Sequence, residues 1–454
     1  MKATQKTLIV ITVIAAALRL YSLTSKSIWI DEAYSVELAR LGWRDFCAVI
    51  AHQESNMVAY YLLLRLWVLF GHGEAYVRVL SVLFSVATIP VIYLLGTRLF
   101  GQRAGLIAGG LLAINAYHVR YAQETRSYAM VTFLVVLATW ILVRNIQGPE
   151  YAHWRAYAIL CALAVYTHLF AVLFIAAHLT ALLLLRLPRP KYIVPLGLAI
   201  IPFGLFTASN AIPWVPKADA RAFYSFFVSI AGNGGPSLLV IETLAVVLGG
   251  CAAWRLRPRW PYALVFCWAF LPVLFLFGLC LLRPCFLGRY LNPSVPALVL
   301  LIAVGIAELE RIPATLLGAA ILAGSLLGTA AYYQRDFDLY RGNWREVSSF
   351  ILDKTQPGDD LFYVTFFGAP LEFYKGLRSS NYPQSIAPTR DLLLKRSVAE
   401  EISDSRTPGK RIWLVLDDRQ STTNEMLRAY FSKGRQTLEE RSFEDHTETI
   451  LLSQ

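Results

Sequence analysis

An acidic pair near the start of the chain is the first feature that could do chemistry. Asp31 and Glu32 stand in the run Trp29–Ser35, a few residues after a long apolar segment. Neighbouring residues of a helix point about 100° apart and those of a strand alternate faces, so the two carboxylates cannot both hold one atom. One could act as a general base while the other orients it or contacts the substrate. In the structural alternative, Asp31 only caps a helix over residues 32–41.

Basic and aromatic residues recur beside the apolar runs. The candidates are Arg78, His118, Arg120, Gln123, Glu124, Arg126, Tyr128, Arg289 and Tyr290. The planar fork of a guanidinium matches the oxygens of a phosphate. If the apolar runs cross a membrane, several arginines at one face indicate a lipid-phosphate ligand. The alternative is that each arginine extends to the membrane interface without binding anything specific.

Two further titratable residues lie against or within apolar runs. His168 separates two such runs and could reach the same site, although a histidine satisfied at the interface is an equal interpretation. Glu242 lies inside a run, about two turns from its predicted outer end. A carboxylate at that depth is costly, which makes it a functional candidate. His178 and most aromatic residues are predicted to serve packing and the interfacial belts.

The cysteines do not predict a metal site. The chain has 6 cysteines, with no Cys-x-x-Cys pair and no zinc-like spacing with histidine. Most lie inside apolar runs and are interpreted as small membrane residues. A disulfide between Cys280 and Cys285 stays open.

Composition excludes a soluble protein. Of the 454 residues 56% are hydrophobic and only 16% are charged, whereas about 25% are charged in ordinary soluble domains. The last 120 residues carry 17 Lys and Arg against 19 Asp and Glu, so the net charge of +11 belongs to the apolar region. Basic loops between membrane spans explain that charge, and no nucleic-acid partner is predicted.

Eleven apolar runs are long enough, or nearly so, to cross a membrane, which needs about 20 residues. They are residues 7–23, 76–99, 104–117, 128–143, 154–167, 169–185, 192–216, 236–254, 261–282, 290–307 and 312–334. The first run follows two lysines and lacks a convincing cleavage site, which favours a retained signal anchor. Another run, 57–71, is about 15 residues long and contains Arg65, which favours an interfacial or re-entrant helix.

Charge asymmetry predicts the topology. With eleven spans, 11 basic residues fall in the loops on one side and 6 in those on the other. The positive-inside rule places the larger set in the cytoplasm. We therefore predict a multi-pass protein of the inner (plasma) membrane, with a cytoplasmic N-terminus. The C-terminal tail and the acidic pair are then extracytoplasmic.

The tail predicts a small α/β domain. Residues 343–355 and 423–432 are predicted helices, 361–367 and 411–416 predicted strands, and 436–452 a hairpin. The predicted domains are therefore a membrane module, 1–334, with its first extracytoplasmic loop at 25–75, and a soluble extracytoplasmic domain, 335–454.

Short motifs in a fixed order carry a resemblance. They are Trp29–Ser35, Tyr60–Trp67 with Phe70-Gly71, Arg78, Leu99–Gly101, Tyr121–Tyr128, Arg289-Tyr290 and Asn343–Arg345. Together they resemble bacterial members of the dolichyl-phosphate-mannose–protein mannosyltransferase family (glycosyltransferase family 39) of the GT-C superfamily, which is related to the aminoarabinose transferase of lipid A. The resemblance covers nearly the whole membrane region and the start of the tail. One departure is that relatives often carry a proline pair where this chain has residues 56–59.

The resemblance implies a fold and an activity. The fold would be an α-helical polytopic GT-C fold of about 11 transmembrane helices with a C-terminal extracytoplasmic α/β domain. The activity would be sugar transfer, with inversion, from a polyprenyl-phosphate-linked donor to an extracytoplasmic lipid, glycan or protein acceptor. Membrane lipids are the other expected partners.

The resemblance also suggests roles. Asp31 matches the family's acidic position and would be the general base, with Glu32 beside it. Donor phosphate and sugar would be bound by Arg78, Glu124, Arg126, Tyr128, Arg289 and Tyr290. Further candidates are Tyr60, Tyr61, His118, Gln123, His168 and Glu242. No cofactor is assigned, and a divalent cation near Asp31 stays open.

A lipid-linked sugar transporter or flippase is the alternative from another class, because it would use the same arginines and carboxylates for binding. Transporters often show matching halves and helices broken at the membrane midplane. The sequence shows neither, and its polar candidates cluster at one predicted face. A scaffolding protein would leave the acidic first loop unexplained.

Overall fold

The structure, a computed structural model, describes residues 2–52, 54–148, 153–188, 197, 219–255, 258–282, 284–335, 342–363, 368–385, 410–417, 421–443 and 447–453. These residues form two compact units. The first unit comprises Met1–Leu23, Asn56–Tyr60 and Arg78–Arg335, and the second comprises Thr24–Ser55, Tyr61–Val77 and Asp336–Gln454.

Helices dominate the chain up to residue 335. The first ten are α1 Lys2–Leu20, α2 Ile30–Arg40, α3 Trp43–His52, α4 Val58–Trp67, α5 Glu74–Phe100, α6 Gln102–Ile114, α7 Ala116–Ala122, α8 Tyr128–Gln147, α9 Trp154–Thr167 and α10 Ala171–Leu184. The next five are α11 Ala220–Ile230, α12 Gly235–Arg255, α13 Trp260–Leu282, α14 Val295–Ala307 and α15 Arg311–Gln334. A 3₁₀ segment, Gly288–Ser294, leads into α14.

Seven of the described helices are long and apolar enough to cross a membrane. They are α1, α5, α8, α12, α13, α14 with its preceding 3₁₀ segment, and α15. Each coincides with a predicted run, and the polytopic membrane prediction is confirmed. Three more predicted runs form the shorter helices α6, α9 and α10, whereas the run 192–216 lies outside the described residues. The number of eleven spans and the topology therefore stay predictions.

Glycines allow two of the spans to approach closely. A Cβ atom built on Gly305 of α14 would lie 1.9 Å from the carbonyl oxygen of Ala245 in α12. A Cβ atom on Gly249 would lie 3.0 Å from the backbone nitrogen of Gly305. Without a hydrophobic driving force inside lipid, such backbone proximity supplies the van der Waals contact that holds spans together.

The short run at 57–71 forms a helix of ten residues, α4, shorter than a membrane span. Its Arg65 donates hydrogen bonds from Nη1 to the carbonyl oxygens of Ala39 (3.0 Å) and Leu41 (2.5 Å). The guanidinium also lies 5.2 Å from the ring centroids of Trp43 and Phe46. The charge that interrupts the apolar run therefore anchors α4 to the end of α2 and to α3.

The tail contains a mixed five-stranded sheet, as the prediction of an α/β domain requires. Its strands are β1 Asp360–Tyr363, β2 Gln384–Ser385, β3 Ile412–Asp417, β4 Thr437–Ser442 and β5 Thr447–Leu452. Their order is β2-β1-β3-β5-β4, with β1 parallel to β2 and β3 and with β5 antiparallel to β3 and β4. The hairpin predicted at 436–452 is thus β4–β5. Residues 364–367 of the first predicted strand lie outside the described residues.

Three helices accompany the sheet: α16 Trp344–Lys354, α17 Gly368–Leu377 and α18 Ser421–Phe431. The first and last match the predicted helices at 343–355 and 423–432. Helix α17 was not predicted from the sequence. It packs against both α16 and α2.

The first loop and the tail share one hydrophobic core. Ile28, Ala33 and Val36 from around α2 are buried together with Trp344 and Phe373 of the tail. Two backbone ties accompany this core: Tyr374 Oη accepts a hydrogen bond from the amide of Ile28 (3.0 Å), and Ser27 donates to the carbonyl of Gly342 (2.9 Å). Because the helix that carries the acidic pair is built into this core, its orientation within the unit is fixed by the tail. The boundary at 334/335 stays a prediction.

A charged pair links the same parts of the second unit. Arg345 donates from Nε to Glu74 Oε1 (3.0 Å) and from Nη2 to Glu74 Oε2 (2.6 Å). Nη2 also donates to the carbonyl of Thr24 (2.7 Å). One planar guanidinium therefore ties α16 to the beginning of the first loop and to the beginning of α5, a bidentate geometry that lysine cannot reproduce.

We therefore expect Arg345→Lys to lower the free energy of unfolding by about 1 kcal/mol, because one guanidinium edge is solvated and screening reduces the gain. Thermal unfolding of the detergent-solubilised protein measures this. Arg378→Lys is the matched control, since Arg378 pairs with Asp353, whose side chain is 64% exposed. Equal losses of stability in the two variants would contradict the conclusion that the bidentate contact of Arg345 with Glu74 stabilises the second unit.

Candidate active site

A buried arginine organises one end of the spans in the first unit. Arg19, in the last turn of α1, is 0% exposed. Its Nε donates to Ser85 Oγ of α5 (2.6 Å), and Nη1 donates to the carbonyl of Ala113 (2.8 Å). Nη2 donates to the carbonyl of Leu112 (3.2 Å) and to Nδ1 of His118 (2.7 Å). The carbonyls belong to the negative end of the α6 dipole, which favours a cation there.

His118 on α7 is a neutral imidazole of defined tautomer. Burial first, and the charge of Arg19 second, lower the pKa of His118 well below its usual value. Arginine can only donate, so Nδ1 must accept and the proton lies on Nε2. Nε2 has no hydrogen-bond partner among the described residues. The helix itself begins at a side-chain cap, since Asn115 Oδ1 accepts from the amide of His118 (3.0 Å).

Gln123 ends α7 and joins it to two spans. Its Nε2 donates to the carbonyls of Arg19 and Tyr21, both at 2.8 Å. Its Oε1 accepts from the hydroxyl of Tyr332 in α15 (2.9 Å). Gln123 was a candidate site residue, and in the structure its amide fixes the backbone immediately before Glu124.

The segment between α7 and α8 carries the predicted Glu124 and Arg126. Glu124 Oε1 lies 3.6 Å from Nε of Arg120, and both Glu124 and Arg126 are buried. The carbonyl of Arg126 accepts from Ser81 Oγ (3.2 Å), which in turn contacts the hydroxyl of Tyr60 (3.3 Å). Tyr60 therefore supports the backbone of the arginine.

His168 lies in the field of two of the predicted arginines. Burial first, then the charges of Arg126 and Arg289, lower the pKa of His168 to about 3. Nδ1 accepts from the amide of Phe170 (3.3 Å), so the neutral ring carries its proton on Nε2. That N–H is buried and has no partner among the described residues. A buried donor beside two cations is suited to an anionic ligand oxygen.

The ring of His168 contacts the rings of two predicted tyrosines, Tyr128 and Tyr290. Its ring centroid lies 5.7 Å from that of Tyr128 and 5.1 Å from that of Tyr290. Tyr290 stacks on Phe170 at 4.4 Å, and Tyr128 contacts Tyr121 edge-on at 5.1 Å. Burial, the largest cause, raises the pKa of Tyr121 to about 12, so its hydroxyl stays protonated. Residues predicted from three separate loops, at 118–128, 168 and 289–290, are thus brought together.

Two polar contacts hold these loops in place. Asn292 Nδ2 donates to the carbonyl of Tyr128 (3.3 Å) and to Thr132 Oγ1 (3.0 Å). Asn56 Oδ1 accepts from the amide of Leu169 (2.9 Å), beside His168. Asn56 is the first of the residues 56–59, where the resemblance led us to expect a proline pair, and its side chain contacts the turn between α9 and α10.

Two predicted site residues, Arg78 and Glu242, are not among the described contacts of His168. Arg78 is 1% exposed and donates from Nη1 to the carbonyl of Leu23 (2.7 Å), at the end of the α1 segment. Glu242 lies within α12, and no hydrogen bond or ion pair joins it to another described residue. Neither shares a described hydrogen bond or ring contact with His168.

The acidic pair belongs to the second unit. Helix α2 begins at Ile30 with Trp29 as its N-cap residue, so the interpretation of Asp31 as the cap is wrong. Glu32, at 0% exposure, makes the reciprocal contact of a capping box, accepting from the amide of Trp29 (3.4 Å). Asp31 stands one residue earlier in the first turn and is half-buried.

Tyr61, another predicted candidate of the second unit, is fully buried. Among the described residues no three His, Cys, Asp or Glu side chains form a metal-binding group.

Sequence reasoning missed Arg19, Asn115 and Tyr332. An arginine at the end of a span is usually interpreted as interfacial, and nothing local in the sequence distinguishes it from a buried one. The signal available was Asn115 before a short polar helix, since asparagine is a strong N-cap residue.

Comparisons with known proteins identify a matching family and a matching fold. Residues 54–214 match the family described as dolichyl-phosphate-mannose-protein mannosyltransferase. A solved structure of ArnT from Cupriavidus metallidurans bound to undecaprenyl phosphate aligns with a TM-score of 0.65 and 14% identity, covering 98% of this chain and 97% of that one. The chain has the GT-C fold, and its residues 54–214 match the model of this mannosyltransferase family. The predicted resemblance is thus confirmed.

A second GT-C relative supports the same fold. The oligosaccharyltransferase AglB from Archaeoglobus fulgidus, solved with an inhibitory peptide and a dolichol-phosphate, aligns with a TM-score of 0.56 and 12% identity. The alignment covers 95% of this chain and 71% of that one. No match was found among curated protein sequences.

The burial of Arg19 yields a stability prediction. Arg19→Lys keeps the charge but cannot supply the same fork of donors, so we expect the free energy of unfolding to fall by about 1–3 kcal/mol. Arg103→Lys is the control, because Arg103 also donates to carbonyls at a helix end, those of Ala307 and Leu309, but at an exposed site. Thermal unfolding in detergent measures both. If Arg103→Lys proved as destabilising, the buried network would not be the cause.

Proposed function

We propose that this protein is an integral membrane glycosyltransferase that moves a sugar from a polyprenyl-phosphate-linked donor to an extracytoplasmic lipid, glycan or protein acceptor. The observation that carries the proposal is the buried N–H donor of His168, which lies in the electrostatic field of Arg126 and Arg289 within a GT-C fold. Undecaprenyl phosphate in ArnT and dolichol-phosphate in AglB give independent support for a polyprenyl phosphate as the ligand.

The chemistry requires positive charge on the leaving group. The acceptor oxygen attacks the anomeric carbon from the face opposite the phosphate, which inverts that centre. The carbon–oxygen bond to the phosphate breaks, and its electron pair stays on the phosphate oxygen. Arg126 and Arg289 would stabilise the added negative charge, with Arg78 as a third contributor, so no strong general acid is needed.

His168 would contribute as a neutral donor. Because the neighbouring arginines and its burial oppose protonation, the ring keeps its single proton on Nε2 at physiological pH. This N–H would donate to an oxygen of the phosphate or of the sugar. Glu124, Tyr128 and Tyr290 would contact sugar hydroxyls, with the tyrosine rings also excluding water.

The acceptor needs a base if it is a hydroxyl group. We propose Asp31, which is half-buried in the first turn of α2 and matches the family's acidic position. It would take the acceptor's proton as the new bond forms. Glu32 would act indirectly, since its carboxylate holds the amide of Trp29 and hence the start of α2.

Sugar transfer from radiolabelled polyprenyl-phosphate sugars by membranes containing the protein tests the base. We expect Asp31→Asn to lower the transfer rate by about 10²–10⁴-fold, the usual contribution of a general base, at equal expression. Asp45→Asn is the matched control, an acidic residue in the first turn of α3 in the same unit. Transfer by Asp31→Asn at the wild-type rate would contradict the role of Asp31.

The same assay separates the activity from the transporter alternative. If the wild-type protein leaves every donor intact while labelled lipid-linked sugar changes leaflet, the enzyme proposal fails and the flippase replaces it.

The phosphate site has its own test. Arg126→Lys and Arg289→Lys each lose the planar fork, and we expect each to lower kcat/KM for the donor by about 10²-fold. Arg221→Lys is the control, since Arg221 is an exposed arginine on α11 in the same unit. A donor titration measures the three variants. Unchanged kcat/KM in both site variants would exclude the cluster as the phosphate site.

A further inference from the structure

Two of the six cysteines lie in contact with one another. Sγ of Cys280 and Sγ of Cys285 are 3.2 Å apart, both half-buried. Cys280 is in the last turn of α13, and Cys285 follows the helix by three residues. A disulfide needs the sulfur atoms about 1 Å closer. Cys47, Cys161, Cys251 and Cys267 have no such thiol contact among the described residues.

We propose that Cys280 and Cys285 form an intrachain disulfide in the mature protein. The predicted topology places the end of α13 outside the cytoplasm, where disulfides form and persist. The oxidant is a disulfide-bearing thiol oxidant of that compartment. One cysteine attacks the oxidant's disulfide, the second displaces it, the two thiol protons leave, and the oxidant is released as its dithiol.

The bond would anchor the loop that carries Arg289. Phe286, immediately after Cys285, stacks on Phe223 of α11 with centroids 4.9 Å apart. Further along, a Cβ atom on Gly288 would lie 3.0 Å from the ring of Phe226, so the chain passes tightly over the same helix. These contacts hold the loop against α11, and the disulfide would tie Cys285, the residue before Phe286, to the last turn of α13. The inference depends on the loop's extracytoplasmic location and not on sugar transfer.

Differential thiol labelling tests the proposal on the full-length protein. Membranes are denatured in the presence of light N-ethylmaleimide, then reduced and treated with heavy N-ethylmaleimide, and chymotryptic peptides are analysed by mass spectrometry. We expect the heavy label on Cys280 and Cys285 and the light label on Cys161 and Cys267. Without reduction, the peptide that spans both cysteines should be lighter than the dithiol by two hydrogens.

Matched variants make the result decisive. In Cys280→Ser, Cys285 should change from the heavy to the light label, whereas Cys161→Ser should leave both labels of the pair unchanged. Light label on both cysteines of the wild-type protein, even after incubation with oxidised glutathione, would overturn the proposal. Because labelling does not require catalysis, failure here is distinguishable from failure of the glycosyltransferase proposal.

Discussion

Burial of one guanidinium is the constraint on which the rest of the first unit depends. A charge removed from water is tolerated only when its donors are satisfied, and Arg19 satisfies them with Ser85, with carbonyls at the end of α6 and with His118. These partners come from α5, α6 and α7, so a single side chain at the end of α1 sets how three other helices meet. Gln123 extends the same arrangement through the carbonyl of Arg19 to Tyr332.

The consequences reach the candidate site through the backbone. Helix α7 is fixed at Asn115 and at Gln123, which leaves the next residues, up to Tyr128, little freedom. Tyr128 contacts the ring of His168, and the charge of Arg126 acts on the same ring. In the second unit the equivalent constraint is the core shared by α2 and the tail, reinforced by Arg345 and Glu74. There the acidic first turn of α2 is held by a folded domain, which assigns the tail a positioning role within that unit.

Hydropathy predicted the spans well because a helix in lipid must be apolar over its whole length, and the observed bounds of α5, α8 and α13 differ from the predicted ones by a few residues. The secondary structure of the tail was also predictable, from periodicity and turn residues. The ring contacts of His168 were not, since they depend on which loops meet. The alternative that Asp31 caps a helix over residues 32–41 came from its residue type alone, whereas in the structure the helix begins at Ile30 and Glu32 makes the capping-box contact. The role of Asn56 depends on a long-range contact that no local pattern encodes.

The phosphate site is tested most directly by a cryo-EM structure of the protein in lipid nanodiscs with an added polyprenyl phosphate. We expect phosphate density within hydrogen-bond distance of the guanidinium groups of Arg126 and Arg289 and of Nε2 of His168. Phosphate density elsewhere, for example beside the exposed Arg103 and Arg311 at the opposite ends of the helices, with the His168 cluster left empty, would contradict it.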